Sequence, residues 1–276
     1  MKRKFSVKSI SCVLAAAFCL MGGFGCAKEP EKPDNDTEEV VIVGSDDYAP
    51  YFYRDEDGEF AGIDVELATE AFRRIGKTAE FNEIEWEEKD ILLESGKVDC
   101  LWGCFTMTGR EDRYAWAGPY MKSNQVIAVR ADSEIYAFSE LEGKNIAVQA
   151  TSKADEILTE GKDERFPEFG QIYCFNEFEY IFALLKNGYV DAIAGHELAL
   201  KELMKTNTGR YRILEEPFLS VKLGAAFLKG GGEEMAKLIE NALRVMQNDG
   251  FTASVLRNYG LDPDKLLEAD NDGWWR

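Results

Sequence analysis

Short apolar and β-branched segments alternate with amphipathic patterns along most of the chain. Strands are predicted at 40–43, 98–101, 126–129, 146–149, 171–175, 190–194 and 223–228. Helices are predicted at 63–75, 89–95, 154–158, 180–187, 197–205, 233–247 and 252–258. In the first helix Val65, Ala68, Phe72 and Ile75 share one face, and Gly76 ends it. Strands and helices in alternation are typical of the α/β class with parallel sheets.

The first 25 residues have the pattern of an export signal. Lys2, Arg3, Lys4 and Lys8 precede an uncharged apolar run at 10–25, which indicates a signal peptide rather than a membrane span of the mature protein. Cys26 follows Gly25 and resembles the cysteine of a bacterial lipobox, where the thiol receives a lipid. The alternative is an ordinary cleaved signal with an incidental cysteine, which would leave the protein in the periplasm. Residues 26–38 are polar and contain prolines, so they are predicted to tether a domain to the outer face of the membrane.

Composition excludes one large class of function. The 276 residues include 32 Lys and Arg against 51 Asp and Glu, a net charge of −19. Cleavage at residue 25 removes four of the basic residues and none of the acidic ones, so the mature chain carries −23. A nucleic-acid binder needs a cationic surface, and no nucleic-acid partner is therefore expected. With 45% hydrophobic and 12% aromatic residues, the chain can form an ordinary core.

Common catalytic and cofactor motifs are missing. There is no GxGxxG and no GxxxxGK[ST], and His196-Glu197 lacks the second histidine of a zinc helix because Leu200 stands four residues later. We therefore predict no cofactor, no metal and no enzymatic activity. Cys100, Cys104 and Cys174 are expected to be buried free thiols. Carboxylates are too numerous to single out the acidic pair of a glycosidase.

Three segments instead combine strand ends with ligand-binding side chains. They are 44–64, with an aromatic turn, 86–120, with a Thr-Gly-Arg unit before Gly-Pro-Tyr, and 141–152, where a strand leads to hydroxyls at a helix start. The motifs GIDVELA, W-x(9)-GKVD and NGYVDA also occur, in this order. With these segments and motifs, residues 40–260 resemble the substrate-binding proteins of polar amino acid ABC transporters.

The resemblance implies a fold and its partners. The fold class is α/β, a two-lobed periplasmic-binding-protein-like fold of type II, each lobe a mixed sheet flanked by helices. Two hinge strands would cross near 123–126 and 221–225. Lobe 1 would comprise 39–124 plus 224–276, and lobe 2 would comprise 125–223. A monomer would bind an amino acid between lobes that close on it, and would deliver it to ABC permease subunits.

The resemblance assigns most candidate ligand-binding residues to lobe 1. Arg110 would grip the ligand α-carboxylate, since a guanidinium makes two parallel bonds to a carboxylate. The alternative is a surface arginine paired with Glu111 or Asp112. Tyr48 and Trp86 would sandwich the ligand, although each could belong to the core. Further candidates are the hydroxyls of Thr106 and Thr108, the backbone of Gly103 and Phe105, and the carboxylates of Asp46 and Asp47.

The second lobe contributes the remaining candidates. Gln149, Thr151 and Ser152 end a strand at a helix N-terminus, which favours an anion, although Ser152 could simply cap the helix. His196 stands where the family usually has the aspartate that receives the ligand ammonium, and neutral imidazole carries no counter-charge. Either Glu197, Asp46 or Asp47 supplies the anion, or the ligand is not a standard α-amino acid.

Two other functions remain possible from the sequence. The same fold serves as the sensing module of signalling receptors, although these continue into a membrane span. A few proteins of this fold are cyclohexadienyl or arogenate dehydratases, and His196 with Glu197 could then act as acid and base. The leading hypothesis is a lipid-anchored receptor that binds an amino acid without changing it.

Overall fold

A computed structural model describes residues 39–161 and 163–267. The predicted signal peptide, the lipidation site Cys26 and the tether at 26–38 lie outside the described residues. No helix within the described ranges is long and apolar enough to cross a membrane.

The described residues contain eleven strands and eight α-helices. The strands are β1 (Glu39–Ser45), β2 (Tyr53–Arg54), β3 (Phe60–Ala61), β4 (Lys77–Glu83), β5 (Cys100–Leu101), β6 (Ala115–Arg130), β7 (Asn145–Gln149), β8 (Gln171–Phe175), β9 (Ala192–His196), β10 (Tyr211–Ile213) and β11 (Leu219–Phe227). The helices are α1 (Ile63–Arg74), α2 (Lys89–Glu94), α3 (Lys153–Glu160), α4 (Phe178–Lys186), α5 (Glu197–Lys205), α6 (Glu233–Asn248), α7 (Phe251–Asn258) and α8 (Pro263–Leu266).

Nine of these strands form one mixed sheet. Its order is β4-β1-β5-β11-β6-β9-β7-β8, with β10 paired to β6. Pairing is parallel within each outer part, β4-β1-β5 and β9-β7-β8, and antiparallel in the centre, where β6 pairs with both β11 and β9. The sheet is therefore mixed, as the resemblance predicts, and the parallel pairing expected from the alternation of strands and helices is found in the outer parts. The two long central strands join the two outer parts, because β11 pairs with β5 on one side, β6 pairs with β9 on the other, and β6 and β11 pair with each other.

Close packing fixes where α1 begins. A Cβ atom at Gly62 would lie 2.1 Å from the carbonyl oxygen of Tyr51, so only glycine fits there. From that point Leu67, Ala68 and Phe72 are fully buried against the sheet. The periodicity that predicted this helix is thus the periodicity of its buried face.

Most predicted elements are present, with ends that differ by a few residues. The predicted strand at 98–101 is only Cys100–Leu101, and the one at 190–194 lies at Ala192–His196. The predicted hinge positions 123–126 and 221–225 fall within β6 and β11, and the lobe boundaries remain a prediction. Cys100 and Cys104 are buried as expected, whereas Cys174 is exposed, so that prediction was wrong. The reason is that β8 is an edge strand whose side chains are mostly exposed or half-buried.

Candidate functional site

A cavity lies where the ends of several strands meet. Ten of the fourteen predicted ligand-binding residues line it: Asp46, Tyr48, Trp86, Gly103, Phe105, Thr106, Arg110, Gln149, Ser152 and His196. They come from the loop after β1, the segment between β4 and α2, the segment between β5 and β6, the β7–α3 junction and the end of β9.

Arg110 is buried in the wall of this cavity, with only 5% of its surface exposed. Its Nη2 lies 3.1 Å from Glu156 Oε2 and donates to the carbonyl oxygen of Thr151 at 3.2 Å. Burial lowers the pKa of Arg110 from its ordinary value, although a guanidinium remains charged. These contacts exclude the alternative of a surface arginine paired with Glu111 or Asp112. They use only part of its five N–H donors, so the guanidinium can also bind a carboxylate.

The N-terminus of α3 faces the same cavity. Ser152 caps the helix by accepting a hydrogen bond from the Asp155 N–H at 3.1 Å, and it also lines the cavity. Lys153 follows and is only 8% exposed, with Nζ 2.5 Å from Glu156 Oε1. Glu156 therefore binds two buried cations, and its pKa falls despite desolvation because Lys153 and Arg110 stabilise its charge. A helix N-terminus and two cations make this wall favourable for an anion.

Aromatic rings form other parts of the cavity lining. The Tyr48 ring packs on Phe178 of α4 with centroids 4.5 Å apart, and Trp86 meets Phe105 edge to face at 4.9 Å. Both Tyr48 and Trp86 are about 6% exposed, so each is part of the core and part of the cavity wall at once. Such faces suit an apolar chain or a cationic group of a ligand.

His196 lies at the end of β9 inside a network of neutral side chains. Its Nδ1 is 2.9 Å from Ser123 Oγ, and its Nε2 is 2.8 Å from Gln125 Nε2 and 3.2 Å from Thr106 Oγ1. Burial, with a smaller effect of the Arg110 charge, lowers the pKa of His196 to about 3. His196 is therefore neutral, and it cannot replace the charge of the aspartate that the resemblance places here.

Asp46 is the acidic side chain that lines the cavity. Its Oδ2 accepts a hydrogen bond from Gln149 Nε2 at 2.5 Å. Desolvation raises its pKa to about 7, although the Gln149 amide lowers it. A carboxylate in this state gains from a cationic partner, because a nearby positive charge favours the ionised form.

Two residues beside the cavity have a backbone conformation that side chains rarely adopt. Cys104 has φ 50° and Thr151 has φ 58°, and no other non-glycine residue in the described ranges has a positive φ. A β-branched residue there is strained, and such strain concentrates at functional sites. The conformation directs the Thr151 carbonyl to Arg110 and its Oγ1 to Lys89 Nζ at 2.8 Å.

Backbone approach explains Gly103. A Cβ atom at this position would lie 1.7 Å from Ser45 Oγ, so a side chain cannot be accommodated. The sequence predicted a close backbone contact here, and the contact in the structure is with β1 of the protein itself.

Four predicted residues do not line the cavity. Asp47 is exposed in an outer groove shared with Glu83 and Glu179. Thr108 Oγ1 accepts a hydrogen bond from the Lys222 backbone, and Thr151 is engaged as described above. Glu197 faces the other way and binds Asn124 Nδ2 at 2.9 Å and Lys201, so the acid–base pair His196 and Glu197 is not assembled in the cavity.

Six residues that sequence reasoning missed complete the lining: Cys104, Gln125, Lys153, Phe178, Ala194 and Gly195. Ala194 and Gly195 could have been found, because they precede His196 on the same predicted strand. Lys153 directly follows Thr151 and Ser152, so its position at the same helix N-terminus could have identified it as well. Gln125 lies within a long strand, where no motif marks it.

Comparisons with known proteins agree with this geometry. The model of the bacterial extracellular solute-binding proteins, family 3, matches residues 40–262. The L-cystine-binding protein TcyA of Bacillus subtilis is 26% identical over 231 residues, which cover 82% of this chain and 83% of that protein.

Solved structures show the same fold. The arginine-, lysine-, histidine-binding protein ArtJ of Geobacillus stearothermophilus superposes with a TM-score of 0.74 at 26% identity, covering 82% of this chain and 97% of that one. An ancestral arginine-binding protein bound to arginine gives a TM-score of 0.73 at 26% identity, covering 80% and 98%. The predicted fold class, the two-lobed type II periplasmic-binding-protein fold, is confirmed.

Proposed function

Because this chain belongs to the bacterial extracellular solute-binding proteins, family 3, we propose that it captures an amino acid in the cavity around Arg110 and delivers it to an ABC permease. The observation that carries this proposal is a charge pattern. Arg110, Lys153 and the N-terminus of α3 lie on one wall, and Asp46 is the carboxylate in the lining. An α-amino acid carries the complementary carboxylate and ammonium groups.

The carboxylate would bind the cationic wall. A guanidinium forms two parallel hydrogen bonds with a carboxylate, and the free N–H groups of a helix N-terminus add to the attraction. The ammonium would lie nearer Asp46, whose carboxylate accepts a hydrogen bond from the neutral Gln149 amide. Of the three anions that the sequence offered, Asp46 is the one supported by position, because Asp47 and Glu197 are outside the lining.

The aromatic surfaces would hold the ligand side chain. Tyr48, Trp86 and Phe178 border the cavity. Trp86 and Phe178 also border the outer groove that contains Asp47 and Glu179. Three of the relatives are named as binding proteins for cystine, arginine and histidine. Those ligands are the first to test here.

Anchoring and delivery are part of the same proposal. The cationic and apolar pattern of residues 1–25, Cys26 and the polar segment at 26–38 support export and attachment to the outer face of the membrane. From there a ligand-bound protein would reach the permease in the same membrane. A dehydratase is not favoured, because Glu197 points away from the cavity.

A thermal-shift screen tests the proposal. The protein starting at residue 39 would be unfolded with each standard amino acid and with L-cystine. A ligand at a hundred times its dissociation constant adds about 2.7 kcal/mol to the free energy of unfolding, which raises the melting temperature by several degrees. Stabilisation by at least one amino acid, recovered unchanged, supports binding. Conversion of prephenate or arogenate would contradict it.

A further inference from the structure

Gln125 has a buried oxygen that no neighbour satisfies. The residue lies in β6, is 1% exposed and lines the cavity. Its Oε1 has no hydrogen-bond partner in the described residues. A buried amide oxygen without a donor costs about 1–3 kcal/mol, so a donor is expected to reach it when the site is filled.

His196 fixes which way the Gln125 amide points. Neutral imidazole has one donor and one acceptor nitrogen. Since Gln125 Nε2 donates to His196 Nε2 at 2.8 Å, the ring proton is on Nδ1 and is donated to Ser123 Oγ at 2.9 Å. This chain of hydrogen bonds uses the amide nitrogen and leaves Oε1 as the free end. Thr106 Oγ1 also lies within hydrogen-bond distance of His196 Nε2, at 3.2 Å.

We propose that Gln125 binds the ligand amino group, with its Oε1 accepting one N–H and His196 acting as a positioning residue that orients the amide. The proposal rests on amino acid binding and specifies its ammonium site. An ammonium has three N–H donors, so it can bind Asp46 and Gln125 together, and both border the cavity. The family usually has an aspartate at the position of His196 to receive the ligand ammonium. In this chain the neutral Gln125 Oε1 and the Asp46 carboxylate would bind the ammonium in its place.

The arrangement also determines which ligands are rejected. A buried polar acceptor discriminates strongly against an analogue that lacks the donor, because the acceptor is then left unpaired. We therefore expect selection for a free amino group, whatever the side chain. An N-acetylated amino acid or an α-deamino acid should bind much more weakly.

Titration calorimetry on matched pairs of ligands tests this inference. L-cystine, L-arginine, L-histidine and L-glutamine, each paired with its α-deamino analogue, would be titrated into the wild type, Gln125→Leu and Gln125→Glu. Gln171→Leu is the control, because Gln171 is exposed on β8 away from the cavity. Thermal melts without ligand would show that each variant is folded.

The expected result is selective. Gln125→Leu should weaken binding of the amino acid by about tenfold or more, and that of the deamino analogue by less than threefold. Gln125→Glu keeps an acceptor oxygen and should restore most of the affinity, while Gln171→Leu should behave as wild type.

Two outcomes would overturn the inference alone: equal losses for both members of a pair, or no loss for either. If the wild type binds none of the four amino acids, the proposed function itself fails and the ammonium site falls with it. The two failures are therefore distinguishable.

Discussion

Glu156 Oε2 lies 3.1 Å from Arg110 Nη2, and Glu156 Oε1 binds Lys153, so two buried cations at the cavity wall share one carboxylate and keep a net positive charge. The ion pair between Arg110 and Glu156 connects the first turn of α3 with the segment between β5 and β6. A ligand carboxylate would join the same cations, and the predictions on this wall follow from that relationship.

Replacing Arg110 with alanine should abolish binding of any amino acid. The substitution removes the guanidinium that would hold the ligand carboxylate. A guanidinium makes two parallel hydrogen bonds to a carboxylate, which is a stronger interaction than a single point charge provides. Thermal shift with the best amino acid measures the effect. Arg113→Ala is the matched control, since its side chain is 55% exposed and pairs with Asp90 outside the cavity. Normal binding by Arg110→Ala would show that the carboxylate assignment is wrong.

Replacing Glu156 with glutamine should have opposite effects on the free and the bound protein. Without ligand, Arg110 and Lys153 lose their shared anion, and we expect the free energy of unfolding to fall by about 1–2 kcal/mol, less than for a fully buried pair because Glu156 is partly exposed. When ligand is bound, the ligand carboxylate supplies the anion that Glu156 supplied to Arg110 and Lys153. The ligand-induced rise in melting temperature should therefore be larger in Glu156→Gln than in wild type.

Thermal melts with and without ligand check this pair of effects. Glu142→Gln, on an exposed glutamate, is the control and should change neither value. A smaller ligand shift in Glu156→Gln than in wild type would mean that Glu156 holds Arg110 in place for the ligand.

The sequence predicted the wall residues better than their orientation. Strand ends and helix starts are visible in the hydrophobic pattern, and the family resemblance assigned Arg110, Ser152 and His196 to one ligand site. Orientation depends on packing. His196 and Glu197 are adjacent, yet one ends β9 inside the cavity and the other begins α5 facing Lys201. No pattern of residue types distinguishes these two outcomes.

Missed strands have a similar explanation. The edge strand β4 reads KTAEFNE, with mostly exposed or half-buried side chains, so it lacks the apolar run that marks a central strand. In β6 only 126–129 was predicted, because Gly118, Pro119, Lys122 and Asn124 interrupt the pattern before it. Gln125 lies at the edge of that interruption.

The stability of the protein should depend on His196 between pH 7 and pH 5. Burial lowers the pKa of His196 to about 3, against about 6.5 when unfolded, so the unfolded chain takes up the proton first. The stabilisation is present above pH 6.5 and is lost as the pH falls towards 3. From pH 7 to pH 5 the wild type should lose about 2 kcal/mol more than His196→Gln.

Denaturant unfolding of both proteins at the two pH values gives this difference. Asp46 and Asp64, whose pKa values burial raises to about 7, act in the opposite direction but are present in both proteins. Equal losses in the two proteins would mean that His196 is accessible to protons in the native state.

Ligand affinity should depend on the ionisation of Asp46. Because its pKa is raised to about 7, Asp46 becomes largely protonated at pH 5.5 and then offers no charge to an ammonium. Amino acid affinity of the wild type should fall roughly tenfold or more from pH 7.5 to pH 5.5. Calorimetry on Asp46→Asn should give weak binding with little pH dependence, and Asp47→Asn should follow the wild type. A flat wild-type profile would assign the ammonium to another group.

The most direct test of the central claim is the electron density of an amino acid bound to this protein. We expect the ligand carboxylate within hydrogen-bond distance of Arg110 and the α3 N-terminus, and its ammonium between Asp46 and Gln125. Density for the amino acid outside this cavity, or with its ammonium against Arg110, would contradict the account.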